Sequence, residues 1–333
     1  MSEVMVLAIV VVSIALFFDF INGFHDSSNI VAVMISTRVL SPIMALTIAA
    51  SAEFLGPFLF GTSVAKTVGK GLVDPHHITI WVVIAAMVGA IVWNLITWYF
   101  GIPSSSSHAL FGGLIGTIIV ARGWDEVQLS GVYMIFMSLL ISPILGFFFG
   151  FISFKIMQRL TRRATPKIAG FLKVLQIFSA IGLALSHGAN DAQKTMGIIT
   201  MSLVTLGLLP DFHVPLWVMA ACAACISAGI ATGGWRIIKT VGRGIFKMRV
   251  IHGFCAQMTS ALVIMSAALM GGPVSTTHVL SSAIMGVGSG ERPTAVKWDT
   301  AKNILVTWVL TIPAAALVSA LAYYGISLFV KGA

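Results

Sequence analysis

Long apolar stretches alternate with short polar or basic connections along the whole chain. Residues 4–35, 78–100, 127–154 and 217–233 are apolar runs with few or no charges, and about 20 such residues in a helix cross a bilayer core. The pattern predicts an all-α polytopic membrane protein. Composition agrees: 58% of residues are hydrophobic and 9% charged, outside the range of soluble domains. The formal net charge is +9, but Lys and Arg sit in the connections between spans, where they set orientation in the membrane rather than form a nucleic-acid groove. The opening M-S-E-V-M-V has no basic leader and no small-residue cleavage site after it, so the first span is expected to be retained.

The second half of the chain repeats the first. K-T-V-G-K-G at 66–71 matches K-T-V-G-R-G at 239–244, and P-S-S-S-S-H-A-L at 103–110 matches P-V-S-T-T-H-V-L at 273–280. G-F-H-D at 23–26 matches G-A-N-D at 188–191, and Pro143 matches Pro313. Residues 1–154 and 170–333 therefore form two repeats of one integral membrane domain, joined by a linker at 155–169. Lys155, Arg159, Arg162, Arg163 and Lys167 make that linker basic, hence cytoplasmic. The second K-T-V-G stretch is surrounded by Arg236, Lys239, Arg243, Lys247 and Arg249 and belongs on the same side. The first has only Lys66 and Lys70, with Asp74 nearby, and belongs outside. About five spanning segments per half then give repeats of inverted topology with both termini outside, a common plan of secondary transporters.

Polar residues interrupt the apolar runs at matching places. As one helix, residues 4–35 would be about 48 Å long, more than one bilayer core and less than two. The stretch N-G-F-H-D-S-S-N at 22–29 is expected to break it near the midplane, with Gly23 giving backbone freedom and Asp26 or Ser27 capping the second half-helix. S-H-G-A-N-D-A-Q-K-T at 186–195 predicts a second break. Carboxylates at membrane depth are costly and mark function, which singles out Asp26 and Asp191; Asp19 and Glu53 have no repeat partner and rank below them.

The second matched pair points to an anion. In both hydroxyl motifs a proline is placed in the first helical turn, and Ser105, Ser106, Ser107, Ser275, Thr276 and Thr277 cluster where backbone N–H groups are unpaired and the helix dipole is positive. His108 and His278 close the motifs, as proton shuttles or as partners of the hydroxyls. Hydroxyl-rich helix starts invite an anion that Asp26 and Asp191 would repel. A cation held at the carboxylates removes the conflict and ties anion to cation, the chemistry of a symporter.

Other residues carry less. Cys222, Cys225 and Cys255 make neither a disulfide framework nor a metal cage, and C-A-A-C at 222–225 reads as small helix-packing residues. His76 and His77 read as solvated loop residues, with no acidic or sulfur partner nearby.

With both motif pairs in view, the chain closely resembles the inorganic phosphate transporter (PiT) family, of bacterial low-affinity type, over essentially its whole length. The resemblance implies inverted repeats, a multi-pass protein of the cell membrane and a homodimer among lipid. It implies no enzyme and no cofactor, and inorganic phosphate as substrate, held by the hydroxyl motifs together with Gln193 and Lys194. The coupling ion, proton or sodium, is implied at Asn22, Asp26, Asn29, Asn190 and Asp191, with His25, His108, His187 and His278 as candidates for a proton relay and no metal beyond sodium. Two departures stand out: the G-A-N-D-x-x-N pattern of sodium-binding members has His25 in the Asn place of the first copy, and Lys194 in the last Asn place of the second. Lys194 then either contacts phosphate or takes the position of a cation, which tilts the expectation toward proton coupling.

Three other readings compete. A permease for sulfate or another tetrahedral oxyanion would use the same hydroxyls. An intramembrane hydrolase would use Ser107 or Thr277 with the adjacent His, and an anion channel would need no coupling.

Overall fold

A computed structural model describes residues 2–71, 78–165 and 168–330; the expectations for Asp74, His76, His77 and Lys167 lie outside these residues. Twelve α-helices are found among them. The first half contains α1 (Glu3–Ser36), α2 (Pro42–Phe60), α3 (Ser63–Gly71), α4 (Ile80–Phe100), α5 (Ser106–Arg122) and α6 (Leu129–Thr161). The second contains α7 (Ile168–Thr205), α8 (Leu216–Thr232), α9 (Trp235–Gly244), α10 (Val250–Leu269), α11 (Thr276–Glu291) and α12 (Trp298–Ser327). The order repeats, down to a 3₁₀ turn before α6 and another before α12.

Packing repeats as well. α1 packs on α8, α4 and α9, and α7 packs on α2, α10 and α3; α5 lies against α12 and α11 against α6. Each contact has its counterpart when the halves are exchanged, and most of the large ones join one half to the other. Small residues let the helices approach closely. A Cβ on Gly23 of α1 would strike the backbone carbonyl of Ile226 in α8, and one on Gly188 of α7 would strike that of Glu53 in α2.

Seven helices are long and apolar enough to cross a membrane, and α8 with α9, bent by 72°, makes an eighth. The remaining two of the ten expected segments are α5 and α11, of 17 and 16 residues. Their lead-in backbone is non-helical and buried at residues 103–105 and 271–275. Irregular backbone at membrane depth is tolerated where protein surrounds it.

The expected breaks in the long apolar runs are absent. α1 is helical across all 34 of its residues and α7 across all 38, so Gly23 serves close packing and not a hinge. Neither Asp26 nor Ser27 caps a half-helix. At 1.5 Å per residue such helices are about 50 Å or more, and they fit by tilting or by projecting beyond the hydrocarbon. Polar residues need no break here, because the second part of each helix is enclosed by protein: residues 25–34 of α1 and 186–204 of α7 are buried throughout. The interruptions lie instead between α4 and α5 and between α10 and α11. The first part of the expected linker, residues 155–161, is the end of α6, which reaches Thr161.

A buried site between the two halves

The starts of α5 and α11 meet the polar segments of α1 and α7 at the centre of the molecule. Ser105 and Ser275 are the N-caps, their hydroxyls accepting from the backbone N–H of His108 (3.2 Å) and His278 (3.3 Å). Pro103 and Pro273 therefore sit before the caps, not in the first helical turn. Three of the next four hydroxyls bond the carboxylates. Ser106 donates to Asp26 Oδ2 (2.9 Å), Thr276 donates to Asp191 Oδ2 (3.3 Å), and Thr277 crosses between halves to donate to Asp26 Oδ1 (3.2 Å). Asn29 Nδ2 donates to Thr277 (2.8 Å).

In the second half an ammonium enters the cluster. Lys194 Nζ donates to Asp191 Oδ1 (2.6 Å), Ser107 Oγ (2.5 Å) and the Val274 carbonyl (2.8 Å). An ammonium has three N–H donors and no acceptor, so all three are used. Only 2% of Lys194 is exposed, which excludes a snorkelling interfacial lysine.

His187 lies between the two carboxylates. Its Nε2 is 3.6 Å from Asp191 Oδ2 and 3.9 Å from Asp26 Oδ2, too far for a hydrogen bond to either. Its Nδ1 is 2.6 Å from Glu53 Oε1, and that bond fixes the ring. Asp26, His187 and Asp191 each offer an atom within 4.8 Å of the others, a spacing suited to one shared cation. Glu53, the lone acid of an apolar helix, thus joins this buried cluster through His187. Asp19, the other unmatched acid, accepts from Thr195 (2.8 Å).

Around this cluster the remaining polar side chains of α1 and α7 are bonded in different ways. Gln193 accepts from the Val64 and Ala65 N–H groups (2.8 and 3.2 Å) and donates to Gly61 and Ala189 carbonyls, tying α3 to α7. Ser27 does the same for α9, accepting from Gly234 N–H (2.6 Å). Asn190 braces the lead-in to α11 through the Gly272 carbonyl (3.1 Å) and Val274 N–H (3.2 Å). His25 Nδ1 is 3.1 Å from Asp26, and its Nε2 is 3.3 Å from Thr97 and from Ser104. Asn22 is buried with its carbonyl oxygen unpartnered among the described residues.

Among the described residues, neither pair that a hydrolase would use, Ser107 with His108 or Thr277 with His278, is formed. His108 Nδ1 bonds Ser105 (2.9 Å), not Ser107, whose hydroxyl donates to the Val274 carbonyl (3.1 Å). His278 stacks on Trp308 at 3.8 Å between ring centroids and lies 4.3 Å from the His108 ring. The hydrolase reading lacks its geometry.

Buried carboxylates, hydroxyl-bearing helix starts and a duplicated helical bundle define a membrane transport protein rather than an enzyme. Comparison with known proteins makes the class specific: the phosphate transporter family matches residues 22–319, and the chain belongs to that family. It is 46% identical over 319 residues to a probable low-affinity inorganic phosphate transporter of Rhizobium meliloti (strain 1021), covering 95% of this chain and 96% of that one. It is 45% identical over 328 residues to a protein of Bacillus subtilis (strain 168) with the same description, covering 97% and 98%. Among solved structures, the fold matches "The sodium-dependent phosphate transporter" with a TM-score of 0.89 at 24% identity, over 98% of this chain and all of that one. The chain is a multi-pass phosphate transporter of the cell membrane.

Proposed function

We propose that the protein imports inorganic phosphate by cation symport, with phosphate and cation meeting at the Asp26–Asp191 cluster and reaching each side in turn by alternating access. One observation carries this reading: the hydroxyls of Ser106, Thr276 and Thr277, the best donors for a phosphate, are held by the carboxylates of Asp26 and Asp191. A carboxylate that receives a proton or a sodium ion is a weaker acceptor, so the hydroxyls turn to the anion. Cation binding therefore raises phosphate affinity, and phosphate raises cation affinity by the same factor. The two basic helix ends and the exchange of packing partners support residues 1–154 and 170–333 as repeats of inverted orientation. His187, held by Glu53 between the carboxylates, is a proton acceptor of the right placement, and its Nε2 serves equally as a cation ligand.

The test is uptake of labelled phosphate into proteoliposomes with proton and sodium gradients imposed separately. Accumulation against the phosphate gradient under at least one of them is expected, and Asp26→Asn and Asp191→Asn should each lose it. Flux that only equilibrates under both gradients would make the protein a channel. Strong competition by excess sulfate would widen the substrate to tetrahedral oxyanions.

A further inference from the structure

We infer that Lys194 is a tethered cation, whose ammonium permanently fills in the second half the place that the first half keeps for a mobile coupling cation. The inference rests on the symport reading above and concerns how many mobile cations the paired positions hold. Exchange of the repeats relates Asp26 to Asp191, Asn29 to Lys194, and Thr277 to Ser107. The contacts obey that relation: Asn29 reaches Thr277 at 2.8 Å, and Lys194 reaches Ser107 at 2.5 Å. The two side chains thus probe equivalent positions, and what they bring there differs.

Around Lys194 Nζ the partners are a carboxylate, a hydroxyl and a backbone carbonyl. Such an all-oxygen set is what hard cations take, and here a compact point charge occupies it. In the first half the repeat puts Asp26, Thr277 and the Ser104 backbone carbonyl in the corresponding positions, and Asn29 adds its own side-chain carbonyl oxygen. The last of these is buried without a hydrogen-bond partner, an arrangement that is costly unless a cation or donor satisfies it. One half carries its positive charge on the chain and the other presents an unpartnered acceptor beside its carboxylate. A direct contact from Lys194 to phosphate would require one of three short bonds to be given up, including the one to its own buried counter-ion.

The experiment compares the wild type with Lys194→Asn, which restores the equivalence of the halves. The cation-to-phosphate ratio is measured from the phosphate gradient that balances a fixed cation gradient in proteoliposomes, and melting temperature is measured in sodium and in choline buffer. The expected result is about one more cation per phosphate in the variant, with a larger rise in melting temperature on adding sodium than in the wild type. An unchanged ratio and an unchanged sodium effect overturn the inference, and so does a raised KM for phosphate at an unchanged ratio, which would make Lys194 a phosphate contact. If the variant folds only when sodium is present, the inference holds; if it fails to fold with or without sodium, it is overturned. Absence of uphill uptake by the wild type under either gradient would instead reject the symport reading itself.

Discussion

Residues 23–29 of α1 and 188–194 of α7 occupy equivalent places, yet only the second is electrostatically self-contained. Asp191 has Lys194 one helical turn away at 2.6 Å, whereas Asp26 relies on three neutral or titratable donors: His25, Ser106 and Thr277. The second segment also has Glu53 of α2 behind its histidine, while the residue equivalent to Glu53, by its contact with the paired glycine, is Ile226 of α8. Duplication preserved the backbone contacts and let the charges diverge. A duplicated fold can in this way supply two walls of one site while giving them different tasks.

The largest expected effect separates the two aspartates. Asp191→Asn leaves the Lys194 ammonium buried without its counter-ion and should cost about 3–5 kcal/mol of stability. Asp26→Asn orphans no fixed charge and should cost far less, although both abolish uphill uptake. Melting of the two variants in detergent checks this, and equal destabilisation would break the comparison.

Glu53→Ile makes α2 match α8 at this point. It removes the partner of His187 Nδ1, for a loss of about 1.5–3 kcal/mol, the range for a hydrogen bond to a charged group. The rate of uphill uptake should fall with it. Normal uptake and stability would show that the Glu53–His187 pair is dispensable.

The matched hydroxyls sharpen the contrast further. Ser107→Ala takes one of three oxygens from Lys194 and should cost about 1.5–3 kcal/mol. Thr277→Val removes bonds to Asp26 and Asn29, and at the roughly 0.6 kcal/mol typical of polar contacts between membrane helices the sum is about 1 kcal/mol. Both should weaken phosphate binding in an equilibrium assay, with Ser107→Ala the less stable in a melt. The smallest effect is expected at Ser27, whose one bond to Gly234 N–H ties down α9. Ser27→Ala should lower stability by about 0.6 kcal/mol and leave the coupling ratio unchanged.

The surrounding solvent, the duplication and most of the residues that gather in the central cluster were readable from the chain alone. Apolar length reports the bilayer, repeated motifs report the repeat, and carboxylates in apolar runs report function because nothing cheaper keeps them there. Asp26, Asp191, the hydroxyl motifs and Lys194 were legible for these reasons. Tertiary structure decided the rest. Whether α1 and α7 break depends on what surrounds residues 25–34 and 186–204, and an apolar run reads the same whether lipid or protein covers it. The amide of Gln193 accepts from the free N–H groups at the start of α3, a segment 129 positions away at Val64, which its place in α7 did not announce. The partnership of Glu53 with His187 and two of the three oxygens around Lys194 also come from segments distant in sequence. One of those oxygens, the Val274 carbonyl, is a backbone atom that every residue possesses, so no choice of side chain could announce it.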